Sequence, residues 1–494
     1  MARLLMPEDY GIVAMGMLVV GLIQTFLDFG PGTALLRKAE VTRDEIDSAW
    51  TLGIIQGMGM GVMLLLTLPL ALDYFNEPRL TFVLCSLAAS VTFISFGNIG
   101  QVLARKAFIY TLDFKIATIT KIASVATTVS AGLILGDYRA LVIGIIAGYT
   151  LPVFLSYLWH PYRPRWNTSK IGEIWAVTKW LMLANVGQFI LRKGDEFAAG
   201  RIGTTAQFGL YNVGSDFGQM PVGEIGPAML KALLPVLSSL EGNIERTNQA
   251  VIKTIAAVNT VIWPIGLGFM AIAAQATEMV LGSKWMDAVP FISLFALASV
   301  LQTTTAPANT LLILHGHTRS QSQIIWIEFA SFVVAAITLV PGFHLVGLAL
   351  ARIFSSAVNS CVTLLYTKKI CQLPITPILR TIVRPLAGSV AMYGLVMYLQ
   401  GVIDAPVPRL AAAILSGAVF FMLWSLVSWH LIGRPEGLES TIMDKLDPAA
   451  HERRKTVRPC SISTDPPTRY APTIHACKAI SPSPPERLFI LILR

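Results

Sequence analysis

Five charged side chains interrupt stretches that are otherwise apolar: Lys121 in TITKIASV, Lys179 in VTKWLML, Asp216 in VGSDFGQ, Glu328 in IWIEFAS and Arg352 in LALARIF. A charge inside an apolar span is costly in lipid, so such groups face a cavity or one another and mark binding or conduction paths. Lys121 and Glu328 occupy matching places, K-I-A-S-V against E-F-A-S-F, offset by 207 (328 − 121). The competing reading for each is a structural ion pair or a side chain that snorkels to the interface. These five are therefore candidates for substrate binding, not for bond-making. His315 and His317, in LHGHTRS, have no acidic neighbour and read as a solvated loop. Asp195 and Glu196 follow Arg192 and Lys193 at the end of a span, and are expected to form a solvated charge cluster. No phosphate-binding GxxxxGK[ST] loop and no GxSxG elbow occurs, so neither nucleotide hydrolysis nor serine-hydrolase chemistry is supported. The five cysteines, Cys85, Cys361, Cys371, Cys460 and Cys477, form no CxxC pair or Cys/His cluster. No metal, no cofactor and no enzymatic activity is expected.

The elements that carry these charges are membrane spans. Of 494 residues, 54% are hydrophobic and only 14% charged, against about 25% charged in soluble domains. Mean hydropathy is +0.62. Apolar runs of about 20 residues recur, each long enough to cross a hydrocarbon core. We count about thirteen, from Tyr10–Phe29 to Leu410–Ile432, including Trp175–Leu191 and Phe208–Leu237. The expected fold is an all-α polytopic membrane protein. A net charge of +9 belongs to loops between spans and not to a nucleic-acid surface, because Lys and Arg in loops set orientation. One set of alternate loops carries Arg37, Lys38, Arg43, Arg105, Lys106, Arg163, Arg165, Lys170, Arg246, Arg319, Lys368, Lys369 and Arg380. The other is poorer, so the first set faces the cytoplasm. The stretch starting MARLLMPEDYG is not a basic segment followed by an apolar one, and no cleavable signal peptide is expected.

A repeat organises the chain. Residues 2–36 and 200–234 share a pattern: Arg3 aligns with Arg201, Tyr10 with Phe208, Gly11 with Gly209 and Gly16 with Gly214, each offset by 198 (201 − 3). Gly30-Pro31 and Gly226-Pro227 follow after a two-residue slip. Internal repeats with a site between them are a common transporter design. In the second copy a span, Trp175–Leu191, precedes the Arg201 motif; its partner in the first copy falls before residue 1. The first copy is therefore expected to lack most of an opening helix, leaving about 13 spans of 14. Expected domains are an N-terminal lobe, 1–165, a C-terminal lobe, 166–446, and a tail, 447–494. That tail is expected to be disordered: Thr456–Pro485 is rich in Pro, Ser and Thr, and the closing RLFILILR is too short to span.

The opening ARLLMPEDYGIVAMGMLVVGLIQTFLDFGPGTALLRK resembles that of the polysaccharide transporter family, with looser matches at FGLYNVG, LGSKWMDAVPFI, HLVGLALA and LIGRPEG. The resemblance covers about residues 2–446. That family of O-antigen and exopolysaccharide flippases belongs to the superfamily of multidrug, oligosaccharidyl-lipid and polysaccharide exporters. The resemblance implies two pseudo-symmetric helical bundles around a central cavity in the bacterial inner membrane. It also implies a cargo of undecaprenyl-pyrophosphate-linked oligosaccharide moved by alternating access, with a polysaccharide polymerase and a chain-length regulator as partners. A cationic cavity would suit such a cargo, and Lys121, Arg352 and Lys179 could supply it. Alternatives are a cation-coupled multidrug antiporter of the same superfamily, a membrane polymerase or glycosyltransferase, and a non-transporting scaffold. The antiporter would want acids to dominate, and Asp216 and Glu328 are matched by Lys121 and Arg352. A membrane polymerase or glycosyltransferase would want a large charged external loop, which this chain lacks.

Overall fold

The computed structural model describes residues 2–27, 32, 35, 36, 38, 40–172, 189–190, 192–239, 244–401 and 406–431. Lys179, Gly30, Pro31, most of the span Trp175–Leu191 and the tail from 447 lie outside the described residues. Contacts divide the chain into two compact units. One holds Met1–Asp216, Ala276–Ile292 and Val334–Arg352; the other holds Phe217–Gln275, Ser293–Val333 and Ile353–Arg494.

The protein is an all-α polytopic membrane protein. Among the described residues eight helices are long and apolar enough to cross a membrane, and Leu80–Ile94 is a shorter apolar one. In chain order, α1 is Pro7–Leu27, α2 Arg43–Phe75, α3 Leu80–Ile94, α4 Gly100–Lys106, α5 Thr111–Leu135 and α6 Arg139–Trp159. The second copy contributes α7, Thr205–Ser239, α8, Ile244–Ala271, and α9, Ala273–Val280. A short 3-10 turn, Ser283–Ala288, leads to α10, Val289–Thr304, and α11, Ala306–Leu314. Then come α12, Thr318–Cys371, α13, Ile375–Gln400, and α14, Pro406–Leu431.

Helix ends follow local chemistry. Thr42 caps α2: its side chain accepts from the Glu45 amide, and the Glu45 carboxylate accepts from the Thr42 amide. This reciprocal box satisfies two amides that no helical carbonyl can reach. Lys38 pairs with the same Glu45 and, through its hydrogen bond, holds that carboxyl below its ordinary range. Pro7 opens α1, where a missing N–H costs nothing. At the other end of the size scale, α3 shows why a span packs. Leu80, Val83, Leu84, Leu87 and Val91 recur at helical spacing and are all buried, forming one stripe against α1, α2 and α6. Lipid-facing positions such as Leu66, Leu70, Ile134 and Leu158 stay exposed, as expected where the solvent is hydrocarbon.

A strap of residues 160–170 runs across the start of α2. The buried Asp47 carboxylate accepts from the Tyr162 hydroxyl at 2.8 Å and the Arg165 amide at 3.0 Å. Thr51 and Ser48 accept from the Asn167 and Lys170 amides. Burial, with the Asp47 carboxylate beside it, pushes the Tyr162 phenol up to about 12. The chain leaving the first copy is thus fixed on α2 by side-chain acceptors, which satisfy an extended segment that no sheet pairs.

Candidate functional site

The repeated motifs meet. Within the first unit, α1 and the start of α7 cross at the two glycines that the repeat aligned. A Cβ on Gly11 would collide with the Thr205 carbonyl, and a Cβ on Gly209 with the Pro7 carbonyl. Backbone lies against backbone there, an approach that only glycine permits. The flanking contacts are reciprocal. Arg201 donates to the Asp73 and Tyr74 carbonyls at the end of α2, while Arg3 donates to the Met279 carbonyl at the end of α9. Gly16 lies against Val83 of α3, and Gly214 against Phe291 of α10. Gly200 lies against Phe75, and the Ala2 carbonyl accepts from the Trp285 indole at 2.8 Å. Tyr10 and Trp285 meet edge to face, ring centres 5.1 Å apart. Each copy thus grips the other with matching residues.

At the same end, Arg79 bridges Glu77 and Glu8, and the Thr205 hydroxyl donates to Glu77 at 2.9 Å. The Arg79 hydrogen bonds hold the Glu77 carboxyl below its ordinary range, against the opposing effect of burial.

Residues 192–202 are helical. This helix carries a cluster that corrects the sequence reading. Asp195 and Glu196 are not solvated: they are 3% and 4% exposed. Lys193 pairs with Glu196. The Asn212 amide of α7 lies 3.4 Å from the other Glu196 oxygen, and the buried Tyr211 hydroxyl donates to Asp195 Oδ2 at 3.0 Å. Among the described residues, the buried Asp195 Oδ1 has no hydrogen-bond partner. Adjacency to Arg192 and Lys193 suggested a wet loop; the docking of α7 excludes water instead.

Of the five charges singled out in the sequence, two come together here. Asp216 is exposed and within electrostatic reach of Lys193, and Arg352 is within reach of Tyr211. Lys121 is exposed on α5, of whose most apolar stretch only 11% is buried. Glu328 is buried in the second unit, so Lys121 and Glu328 fall in different units. Lys179 lies outside the described residues. His315 and His317 are exposed, and His315 Nδ1 stands 3.6 Å from the Cys371 thiol. Sequence reasoning overlooked Tyr211 and Asn212. The signal available was the span's own polar content: a Tyr-Asn pair one turn before Asp216 in an otherwise small and apolar stretch.

Residues 1–290 match the family described as polysaccharide biosynthesis protein. The chain belongs to that family. Among relatives of this polysaccharide biosynthesis protein is an uncharacterized membrane protein in the cps region of Klebsiella pneumoniae. It is 21% identical over 374 residues, 75% of this chain and 77% of the relative. The succinoglycan biosynthesis transport protein ExoT of Rhizobium meliloti is 21% identical over 425 residues, 84% of this chain and 85% of its own. Among solved structures the fold is similar to that of the lipid II flippase MurJ in an inward closed conformation. The TM-score is 0.67 at 13% identity, covering 87% of this chain and 94% of that one.

Proposed function

We propose that this membrane protein moves lipid-linked oligosaccharide repeat units from the cytoplasmic to the outer leaflet of the bacterial inner membrane, for surface or exopolysaccharide synthesis. The observation that carries the reading is the reciprocal crossing at Gly11 and Gly209. Two copies of one bundle joined by symmetric contacts at one end are what alternating access needs, since breaking one set of contacts can be offset by making another elsewhere. Membership of a polysaccharide biosynthesis family and likeness to a succinoglycan transport protein support a glycan cargo. In this reading residues 1–165 and 166–446 are two lobes. Lys121, Lys179 and Arg352 attract the pyrophosphate of an undecaprenyl-pyrophosphate-linked glycan; Asp216 and Glu328 balance them. No bond is made or broken. A polymerase and a chain-length regulator take the product onward.

The test is complementation of a flippase-null strain, with membrane protein and surface polysaccharide measured together. Lys121→Glu and Arg352→Glu should abolish polysaccharide at near-normal protein level, and Glu328→Gln should be milder. Full complementation by both reversals removes these cations from the mechanism. Drug resistance conferred without polysaccharide would replace the reading with that of a multidrug antiporter. Orientation is checked separately: a reporter inserted at Asp137 should read outside, and one fused after Arg434 inside.

A further inference from the structure

The second copy keeps a cavity where the first keeps ion pairs. Within the first unit, Gln207, Asp287, Phe291, Phe343 and His344 line a cavity of about 590 Å³, within the range of about 300–1,000 Å³ usual for small-molecule sites. The contacts of Gly16 with Val83 and of Gly214 with Phe291 put the copies in register here, at an offset of 208 (291 − 83). At that offset Asp287 answers to Arg79. Arg79 is engaged by Glu77 and Glu8. Asp287 is exposed, and among the described residues it has no ion pair and no hydrogen bond. The other polar groups of the lining differ from it in kind. Gln207 Oε1 already accepts from the Thr204 amide at 3.0 Å, which fixes the side chain and leaves Nε2 to donate. The His344 imidazole can donate at one nitrogen and accept at the other. His344 is held at φ 48° and ψ −128°, a strained backbone of the sort that collects at ligand sites. Phe343 is 56% exposed, and Phe291 lies buried beside it in the lining.

We propose that this cavity binds uncharged sugar rings. A hydroxyl both donates and accepts, so a polyol needs a mixed set of partners. Asp287 accepts, Gln207 donates and His344 does either. The C–H face of a sugar ring is apolar and packs on an aromatic face, which the exposed Phe343 offers. Other ligand classes fit less well. A phosphate needs cations, and among the described residues no Lys or Arg lines the cavity. A metal ion needs several converging oxygens, and Asp287 is the one carboxylate of the lining. An ammonium group needs acceptors alone and would face the donor of Gln207. The cavity is thus opposite in chemistry to the cations Lys121, Lys179 and Arg352, and suits the other part of a phosphate-linked glycan. That the sugar belongs to the cargo rests on the transport reading; that a saccharide binds here does not.

The test reads binding without transport. The full chain in detergent micelles is titrated with the methyl glycosides of glucose, galactose and N-acetylglucosamine, and binding is followed by saturation transfer from protein to sugar protons. The expected result is transfer to at least one glycoside, strongest at its ring C–H protons. Phe343→Ala, Asp287→Ala and Gln207→Glu should each weaken it about tenfold. Gln207→Glu keeps the acceptor that the Thr204 amide needs and removes only the donor. All three residues are exposed, so the variants keep the fold, which their thermal midpoints check. The exposed control Glu40→Gln should bind as the wild type does. No transfer to any of the three glycosides, or transfer that the three variants leave intact, overturns the proposal. Displacement of the bound glycoside by ethanolamine or by pyrophosphate also overturns it, assigning the cavity to an ammonium group or to phosphate. Complementation then identifies the source of the sugar. Surface polysaccharide lowered by Phe343→Ala at normal protein level assigns the bound ring to the cargo; unchanged polysaccharide with binding lost assigns it to another saccharide. A wild-type chain that binds the glycoside and fails to complement would count against the transport reading alone and would leave the sugar site standing.

Discussion

The two copies solve the same problem, a break within a span, with different side chains. In the first copy helix breaks between α3 and α4, and the freed Gly97 carbonyl accepts from the Trp50 indole at 3.1 Å. In the second it breaks between α10 and α11, and the Thr304 carbonyl accepts from the Asn259 amide, also at 3.1 Å. The donors are offset by 209 (259 − 50) and the acceptors by 207 (304 − 97). A hydroxyl staples each break again: Ser156 accepts from the Asn98 amide, and Ser360 donates to the Leu301 carbonyl. Within a membrane every freed backbone group needs a partner inside the protein. What the repeat keeps is therefore a donor at a position, not a residue type. A similar substitution occurs where α5 turns into α6. Gly136 takes a positive φ of 65° there, whereas its counterpart inside α12, His344, takes φ 48°. The start of each crossing helix differs likewise. The Met6 amide donates to Asp9 at 3.0 Å and the Thr204 amide to Gln207 at 3.0 Å, but only Thr204 returns a side-chain bond, to the Gln207 amide.

The largest effect expected from breaking this symmetry is at the crossing. Gly11→Ala and Gly209→Ala each push a Cβ into a backbone carbonyl that cannot step aside, and each should cost about 3 kcal/mol. Thermal midpoints of the detergent-purified chain should fall equally for both; a loss confined to one would show that the crossing is not symmetric in energy.

Next come the broken spans. Asn259→Leu leaves the Thr304 carbonyl and the buried Trp263 indole, which donates to Asn259 Oδ1 at 2.9 Å, without their partner. Trp50→Phe removes one donor from a half-buried place. Orphaned buried groups cost about 1–3 kcal/mol each, so the second-copy variant should be the more destabilised by the same measurement. Equal losses would mean that the first break is as dry as the second.

A third variant should restore likeness and gain stability. His344→Gly relieves a backbone at φ 48° and ψ −128°, outside the left-handed region that Gly136 occupies, which costs a side-chain-bearing residue about 1–3 kcal/mol. The midpoint should rise. A fall would show that the imidazole, which with Asp287, Phe291 and Phe343 lines a cavity of about 590 Å³, contributes more than the strain removes. The smallest effect is expected from Met6→Thr, which completes at α1 the reciprocal cap that Thr204 and Gln207 make at α7, by about 0.5 kcal/mol.

Much of the fold was legible because lipid imposes it. Spans must be about 20 apolar residues long, so they stand out in α2, α6 and α12 without any tertiary information. The pairing of Arg3 with Arg201 and Gly11 with Gly209 was legible too, as a repeat. That the paired glycines touch one another was not, since a repeat says which residues are alike and not which are neighbours. The candidate site was less legible still. Asp216 and Arg352 stood out as charges within apolar runs. Asp195 and Glu196 did not, because beside Arg192 and Lys193 they have the composition of a wet loop, and composition carries no record of what packs on top.

The sequence by itself determined the helical class, the membrane setting, the two-copy plan and which glycines of the two copies correspond. Each follows from short-range rules: apolar length, loop charge and small residues at close approach. Tertiary structure alone decided that Arg3 and Arg201 exchange grips on the ends of α9 and α2, that Trp50 and Asn259 serve equivalent freed carbonyls, and that Asp195 is buried with one oxygen unpartnered among the described residues. Those outcomes depend on which distant helix arrives over a given residue. Water is excluded, and a charge becomes costly, only when α7 has docked.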